Sequence, residues 1–465
     1  MSLDVTRRDA FLVEEVEGDA FTPISIFHRL QGEKKFLLES SYKHEKSGRF
    51  SFIGCDPYLE MKGIGGKCIL TKPFENKVEE LEAELMDVLK EQIVKVEETF
   101  PFPFFGGGVG YIGYDVVRQF ETIGDIPRDD VNMPDAHLMY YEKVVVLDHQ
   151  LQKIYIVLSN GSGRKSKDAL QKEMQSIQKQ LSTPSSQEFS NDKMKTASFE
   201  SYTTKEHFIE NVKRAQDHIQ KGDIFQVVLS QRLQASFEGD PFSYYRHLRK
   251  SNPSPYMFYV DFEEYIVLGA SPESFTKVQG QEVYTNPIAG TRKRGITEKE
   301  DIRLEKELQT DEKELAEHRM LVDLARNDLG RVCQFGSVEL TKYMEVERFK
   351  HVMHLVSEVK GILREHETSL RVLRACLPAG TVSGAPKIRA MQIINELEPL
   401  KRGVYAGAVG YINRNGDLDF GLAIRTMVLK GNQAFVQAGA GVVLDSVPEL
   451  EYEETWNKAK ALLGV

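Results

Sequence analysis

The sequence predicts an α+β fold dominated by antiparallel sheets, and three observations lead there. Strand-like apolar runs arrive in groups, at 36–54, 140–158, 256–269 and 406–437. Connections within a group are short, as at Asn415-Gly416, which suits hairpins. Helical stretches fall between the groups instead of alternating one for one with strands, so a parallel βαβ architecture is not expected.

The elements follow in order. Residues 36–40 and 49–54 read as strands. Over 77–98, Val78, Leu81, Leu85, Val88 and Leu89 recur at helical spacing and predict an amphipathic helix. The glycine-rich strand at 106–114 is echoed by Gly407-Ala408-Val409-Gly410-Tyr411-Ile412. A hairpin over 140–158 precedes a helix at 165–181. Residues 182–201 carry Ser182, Pro184, Ser185, Ser186, Ser190 and Asn191 with little apolar period, so a domain boundary is set there: 1–195 and 196–465. A helix over 205–221 ends at Gly222, and 224–229 reads as a buried strand. Hairpin strands at 256–269 follow, then a helix to Gly330, a helix at 369–377, and a Gly/Ser/Thr loop at 378–387 opening another helix. The loop's free N–H groups suit an anion. The chain closes with a meander over 406–437, in which Arg425 lies on the strand 421–428.

Composition limits what the chain can do. Its 465 residues suffice for two domains or one large composite. A net charge of −10 with 41% hydrophobic residues describes a soluble acidic protein. That acidity argues against a nucleic-acid partner, and Arg292-Lys293-Arg294 is too short to reverse it. No apolar run reaches membrane-spanning length, and residues 1–9 lack a signal-peptide core, so a cytoplasmic location is expected. Cys55, Cys68, Cys333 and Cys376 show no metal spacing and fit a reduced compartment. None stands in a turn that presents a nucleophile.

Two carboxylate pairs carry chemistry. Near the C-terminus a strand, a tight turn at Gly439-Ala440-Gly441 and a helix are expected, with Ser446 and Glu449 as a capping box and Pro448 in the first turn. On that helix Glu451 and Glu454 share a face, with Lys458 one turn on. Earlier, Asp311 is a candidate N-cap with Glu314 at N3, and Glu314 and Glu317 again share a face. Aligned oxygen ligands suit Mg²⁺ better than zinc.

Longer words then become readable: Leu38-Glu39-Ser40, Asn252-Pro253-Ser254-Pro255-Tyr256-Met257, Pro287-Ile288-Ala289-Gly290-Thr291-Arg292, Leu321-Val322-Asp323-Leu324-Ala325-Arg326-Asn327-Asp328, Val352-Met353-His354, residues 380–387 and 437–448. In this order they resemble the chorismate-utilising enzymes, and among them the anthranilate synthase large subunits (component I), from about residue 20 onward. The resemblance implies two mostly antiparallel sheets packed together with helices outside. It implies a lyase reaction at the head of tryptophan biosynthesis: ammonia adds at C2 of chorismate as the C4 hydroxyl leaves, and pyruvate is eliminated to give anthranilate.

The resemblance also assigns residues. Glu317 and Glu454 would bind Mg²⁺ directly, and Glu314 and Glu451 through water. Tyr405, Arg425 and the backbone of Gly439, Ala440 and Gly441 would hold the enolpyruvyl carboxylate. Lys458 would complement the ring carboxylate, and Gly290 and Thr291 would contact substrate. Glu273 takes the general-acid position, which requires a raised pKa. His354 would stand beside the ring during aromatisation. Gln226 occupies the place where water-adding relatives carry a lysine base, which favours ammonia as nucleophile. Ala289 replaces the lysine of many aminodeoxychorismate synthases, the alternative enzyme; a non-catalytic tryptophan-binding regulator is a third reading, disfavoured by the four acids.

Tryptophan inhibition is implied as well. Leu38, Glu39 and Ser40 form one wall of its site and Pro255, Tyr256 and Met257 the other. These segments come from opposite sides of the 182–201 linker, so an effector between the domains could bias their closure. Without a thiol nucleophile of its own, the chain needs a glutamine amidotransferase subunit (component II) as ammonia source, in a heterotetramer.

Overall fold

The computed structural model describes residues 11–40, 48–94, 96–183, 195–196, 198–349 and 352–463. Of the expected linker, residues 184–194 and 197 lie outside the described residues, as do residues 1–9.

Two large sheets form the frame, and every pairing between named strands is antiparallel. The first runs from Phe11–Glu17 through Lys153–Ser159, Lys143–Asp148, Phe50–Gly54, Phe36–Glu39, Tyr256–Asp261, Tyr265–Ser271, Thr426–Lys430 and Gln433–Val442 to Gln226–Glu238. The second runs from Ile288–Lys293 through Val352–Ile362, Glu282–Thr285, Ser274–Gln279, Leu418–Leu422, Ala408–Asn413, Gly107–Ile112, Ala136–Tyr141, Leu59–Ile64 and Lys67–Lys72 to Lys77–Leu81. Each sheet takes strands from both sides of residue 195.

Side-chain alternation builds the layers. Phe36, Leu38, Val144, Val146, Phe258 and Val260 of the first sheet meet Val109, Tyr111, Met139 and Tyr411 of the second in an inter-sheet core. The alternate residues Leu37, Val145, Leu147 and Tyr259 point outward and are covered by the helices Pro23–Arg29, Lys167–Ser182, Pro241–Ser251 and Pro448–Leu463. The outer face of the second sheet is covered by Leu85–Lys90, Glu312–Gly330 and Ser369–Cys376. The two glycine-rich hexapeptides are neighbours there, with Gly110 opposite Gly410. A Cβ on Gly110 would strike the His137 carbonyl oxygen, which explains the glycine.

Four expectations fail. The helix over 77–98 is an edge strand, Lys77–Leu81, followed by a helix of only Leu85–Lys90. Leu85, Val88 and Leu89 are buried as a helical face requires, but Val78 is two-thirds exposed. A hairpin turn at Pro73–Asn76, with Asn76 at φ +49°, returns the chain along Lys67–Lys72. Second, Gly439–Gly441 is no turn: it continues the strand Gln433–Val442, paired to Gln226–Glu238. Third, Ser446 does not cap with Glu449; its hydroxyl accepts from the Val443 N–H at 3.1 Å. The expected strand 421–428 also breaks. Leu418–Leu422 belongs to the second sheet and Thr426–Lys430 to the first. Arg425, at φ +48°, sits at the corner between them.

Candidate active site

The helix Glu312–Gly330 starts as its sequence requires, with Asp311 accepting from the N–H groups of Lys313 and Glu314. Leu321, Val322, Ala325 and Leu329 turn inward, leaving Glu314 and Glu317 half-buried on another face. Burial is the main force on Glu317 and raises its pKa; Glu314 raises it further, while Gln226 and Lys458 oppose. On the closing helix Pro448–Leu463, burial raises the Glu451 pKa, Ser446 opposes, and Glu454 adds to the rise. The two helices therefore share one electrostatic site: Lys458 acts on Glu317, and Lys313 acts on Glu451. Lys458 Nζ also lies 2.7 Å from Glu454 Oε1 and donates to the Gly439 carbonyl at 3.0 Å. Among the described residues the acids do not close into a ready cage of three or more ligands; they remain two pairs.

Gln226 opens its strand beside this site. Its Nε2 donates to Glu317 Oε1 at 2.9 Å. That bond fixes the amide orientation and leaves Gln226 Oε1 buried without a hydrogen-bond partner among the described residues. Gly441 must be glycine for the amide to stand there, since a Cβ would come within 2.6 Å of Gln226 Nε2. Gly439 likewise makes room for Tyr405, whose Oη would be 2.7 Å from an added Cβ. The pairing with Thr426–Lys430 ends at Met427↔Val436, so beyond it this edge of the strand meets side chains instead of another strand.

Tyr405 is fixed from behind. The Arg402 guanidinium lies 5.4 Å from its ring centre and is itself held by Glu398, by the Val382 carbonyl and by the Val228 carbonyl.

Glu273 occupies the joint where the chain leaves the first sheet at Ser271 and enters the second at Ser274. It is buried, and Thr381 Oγ1 donates to its Oε1 at 2.8 Å. Burial pushes its pKa up to about 8, against smaller opposing effects of Thr381 and Lys458. The carboxyl is therefore protonated at neutral pH.

His354 lies opposite Thr291 in register. Its Nδ1 is 3.1 Å from the Gly290 carbonyl and 3.0 Å from Thr291 Oγ1. A carbonyl can only accept, so Nδ1 carries the hydrogen and Nε2 keeps its lone pair. Burial holds the pKa down at about 4, with Arg425 and Lys458 assisting against the Gly290 bond, so the ring is neutral. Gly290 stands at φ +71°, and a Cβ there would reach 3.2 Å from Glu314 Oε2.

Two participants escape sequence reasoning. Thr381, in the 3₁₀ turn Gly380–Val382, bonds Glu273. Arg292 Nη1 donates to Glu314 at 3.1 Å and Nη2 to Asp311 at 2.6 Å, tying a strand to the carboxylate helix. All three bonds join residues in different elements, although the 378–387 loop was itself legible.

The proposed effector residues gather elsewhere. Met257 is paired with Glu39 and Phe258 with Leu38, as neighbours in one sheet. Alternation divides them. Leu38 enters the inter-sheet core, and Tyr256 Oη reaches Asp419 at 2.8 Å and Ser274 at 3.0 Å on the second sheet. Met257 and Glu39 face the helix Pro241–Ser251, where Glu39 accepts from Tyr245 at 2.7 Å and from Arg249 at 2.6 Å. Pro255 directly precedes this strand. Ser40 Oγ is buried without a partner among the described residues.

Comparison with known proteins adds to this geometry. Residues 33–464 match the family model of chorismate binding enzymes. The chain is 46% identical to anthranilate synthase component 1 of Lactococcus lactis, covering 97% of this chain and 99% of that one. It is also 46% identical to the Aquifex aeolicus protein of the same name, covering 97% and 93%. The crystal structure of anthranilate synthase component I from Streptococcus pneumoniae superposes with a TM-score of 0.84 at 44% identity, covering 96% and 98%. A menaquinone-specific isochorismate synthase from Escherichia coli shares the fold, with a TM-score of 0.73 at 20% identity over 98% and 94%.

Proposed function

Because the chain belongs to the family of chorismate binding enzymes, we propose that this site holds chorismate between the two carboxylate helices and the strand Gln433–Val442, with each reacting group served by a residue described above. The activity is that of an anthranilate synthase large subunit, a lyase that converts chorismate to anthranilate.

The observation that carries the nitrogen chemistry is Gln226. Its amide is neutral and cannot deprotonate water. Its Oε1, held outward by the Glu317 bond, is a free acceptor for an N–H of ammonia. Ammonia adds at C2 through its lone pair, the ring double bonds shift, the C4–O bond breaks, and the added nitrogen then releases one proton, which balances the one Glu273 gives up. Glu273 supplies the proton that lets the C4 oxygen leave as water; its buried, protonated carboxyl suits that role. His354 Nε2, neutral and beside Gly290 and Thr291, then accepts the C2 proton as the enolpyruvyl C–O bond breaks and the ring becomes aromatic; the departing enolate takes up one proton to become pyruvate, which balances the one His354 receives. Arg425, Tyr405 and the backbone of Gly439, Ala440 and Gly441 bind the enolpyruvyl carboxylate, and Lys458 complements the ring carboxylate.

The acids fit a divalent cation. Glu317 and Glu451 are half-buried beside a second carboxylate each, so both are strained as anions until a cation joins them. Glu314, Glu317, Glu451 and Glu454 would hold Mg²⁺, which when bound neutralises the ring carboxylate.

Two further assignments belong to this reading. Tryptophan binds at the wall of Leu38, Ser40, Pro255, Tyr256 and Met257, where the Ser40 hydroxyl, without a partner among the described residues, is open to a polar ligand atom. Glu39, already bonded to Arg249 and Tyr245, anchors that wall. A glutamine amidotransferase subunit supplies ammonia. The four cysteines of this chain are buried, and burial pushes Cys55 and Cys376 up to about 12 and Cys333 up to about 11, far from thiolate reactivity.

The test is incubation of the purified chain with chorismate, Mg²⁺ and ammonium. Fluorescent anthranilate is expected. Accumulation of 4-amino-4-deoxychorismate, or turnover with water instead of ammonium, contradicts the reading.

A further inference from the structure

Arg402 is buried behind the site. A guanidinium taken out of water is costly unless its donors are met. Nε donates to Glu398 Oε2 at 2.8 Å and Nη2 to Glu398 Oε1 at 2.6 Å, a forked pair that balances the charge. Nη1 donates to the Val382 carbonyl and Nη2 to the Val228 carbonyl, each at 2.7 Å. Glu398 is itself pinned to the strand Gln226–Glu238, since its Oε1 accepts from the Ser230 N–H at 2.7 Å and from the Ser230 hydroxyl at 2.9 Å. The fork therefore has a fixed mount, and the two carbonyls are what it holds.

Those carbonyls belong to segments that end at the site. Val382 closes the 3₁₀ turn Gly380–Val382, whose middle residue, Thr381, donates to Glu273. Val228 is two residues from Gln226. The backbone already stitches these segments together: Gly384 and Ala385 pair with Val227 and Gln226, and the Val228 N–H donates to the Ser383 carbonyl at 2.9 Å. Arg402 carries that seam one residue further, to the turn that presents Thr381. Its third contact is the Tyr405 ring, whose Oη stands over Gly439. A lysine has its three donors on one nitrogen and cannot span the carboxylate and both carbonyls as a planar fork does.

We propose that Arg402 is a positioning residue of the reaction, holding Thr381 on Glu273 through the Val382 carbonyl and Tyr405 against Gly439 through its ring contact. The proposal rests on the function assigned above. Its consequence is read at Glu273, which burial pushes up and which Thr381 and Lys458 draw down. A donor lost from the ionised carboxylate leaves its proton held to higher pH. Neither Arg402 nor Glu398 is among the groups that shift Glu273 directly, so movement there reports the turn.

The experiment uses the full chain. Arg402→Met/Glu398→Gln removes both charges together, so that no lone ion is left in the core, and keeps an acceptor for Ser230. Infrared titration follows the Glu273 carboxyl band, assigned by its loss in Glu273→Gln. The band is expected to persist to higher pH than in wild type, as it should in Thr381→Val. Adding Thr381→Val to the neutral pair should move it little further, because Arg402 acts through Thr381. With ammonium, the neutral pair should lose about tenfold or more in kcat and raise KM for chorismate as Tyr405 loosens, whereas Thr381→Val should lower kcat alone. Arg402→Lys, with the charge kept and the fork lost, should show the same changes in weaker form and decides the matter if the neutral pair does not fold. A folded variant whose band titrates as in wild type, with only its melting temperature lowered, would overturn the proposal. So would shifts that sum when Thr381→Val is added. If the wild type makes no anthranilate, the functional reading fails instead, and the infrared titration still decides whether Arg402 holds Thr381 on Glu273.

Discussion

Two glutamates, Glu39 and Glu273, are almost equally buried, at 6% and 8% exposure, and their surroundings differ in kind. Glu39 meets a guanidinium at 2.6 Å and a phenol at 2.7 Å. The Glu273 carboxyl meets one hydroxyl, Thr381, and no guanidinium or ammonium among the described residues bonds it. Burial alone does not decide what a carboxyl does. A cationic partner makes Glu39 a structural anchor, whereas its lack at Glu273 keeps a proton on the carboxyl proposed above as the general acid.

Breaking the catalytic half of this comparison has the largest expected effect. Glu273→Gln should lower ammonium-driven anthranilate formation by roughly 10²–10⁴, the usual worth of a general acid, measured by product fluorescence under saturating chorismate. Breaking the structural half comes next. Arg249→Met strands the Glu39 charge, and because Arg249 is a third exposed the cost should be about 2–3 kcal/mol, below that of a fully buried pair. Thermal unfolding measures it.

The third test turns on the sign of the Glu273 shift. Its folded pKa of about 8 stands above the ordinary 4.5, so the carboxyl costs no stability below pH 4.5, and the cost grows as pH rises toward 8. Glu273→Gln should therefore be more stable than wild type at pH 8, by on the order of 1–3 kcal/mol, with the gain vanishing near pH 4.5. Loss of catalysis with gain of stability is the signature of a strained functional group. The smallest effect is expected of Tyr256→Phe, which removes two hydroxyl contacts, one to Asp419 and one to Ser274, the neighbour of Glu273, at about 1 kcal/mol. Tryptophan inhibition should weaken while the uninhibited rate stays within a few-fold, read from inhibition curves.

The same contrast separates what the chain revealed before its structure was in hand. Local chemistry was legible. Asp311 caps its helix as its spacing demands, and Glu314 and Glu317 share the face expected of residues three apart. Longer-range pairing was not. Gly439–Gly441 reads as a turn because glycines usually mark one, and only the strand Gln226–Glu238, two hundred residues earlier, makes it a ladder. Val78 to Leu89 has a helical period by accident across a hairpin edge and a short helix. The Glu273 position came from resemblance, but its partner Thr381 lies 108 residues on, and neither the raised pKa nor the missing cation can be read from Ser271-Pro272-Glu273. Arg425 was placed in a strand, whereas the chain bends there to change sheets and so presents the guanidinium at a corner.

The central claim is that Glu273 rests protonated, and infrared spectroscopy tests it without relying on turnover. The difference spectrum between wild type and Glu273→Gln, recorded from pH 5 to 10, should show a protonated carboxyl C=O band at pH 7 that fades through about pH 8. A carboxylate signature already present at pH 6, with no protonated band to lose, would contradict the account.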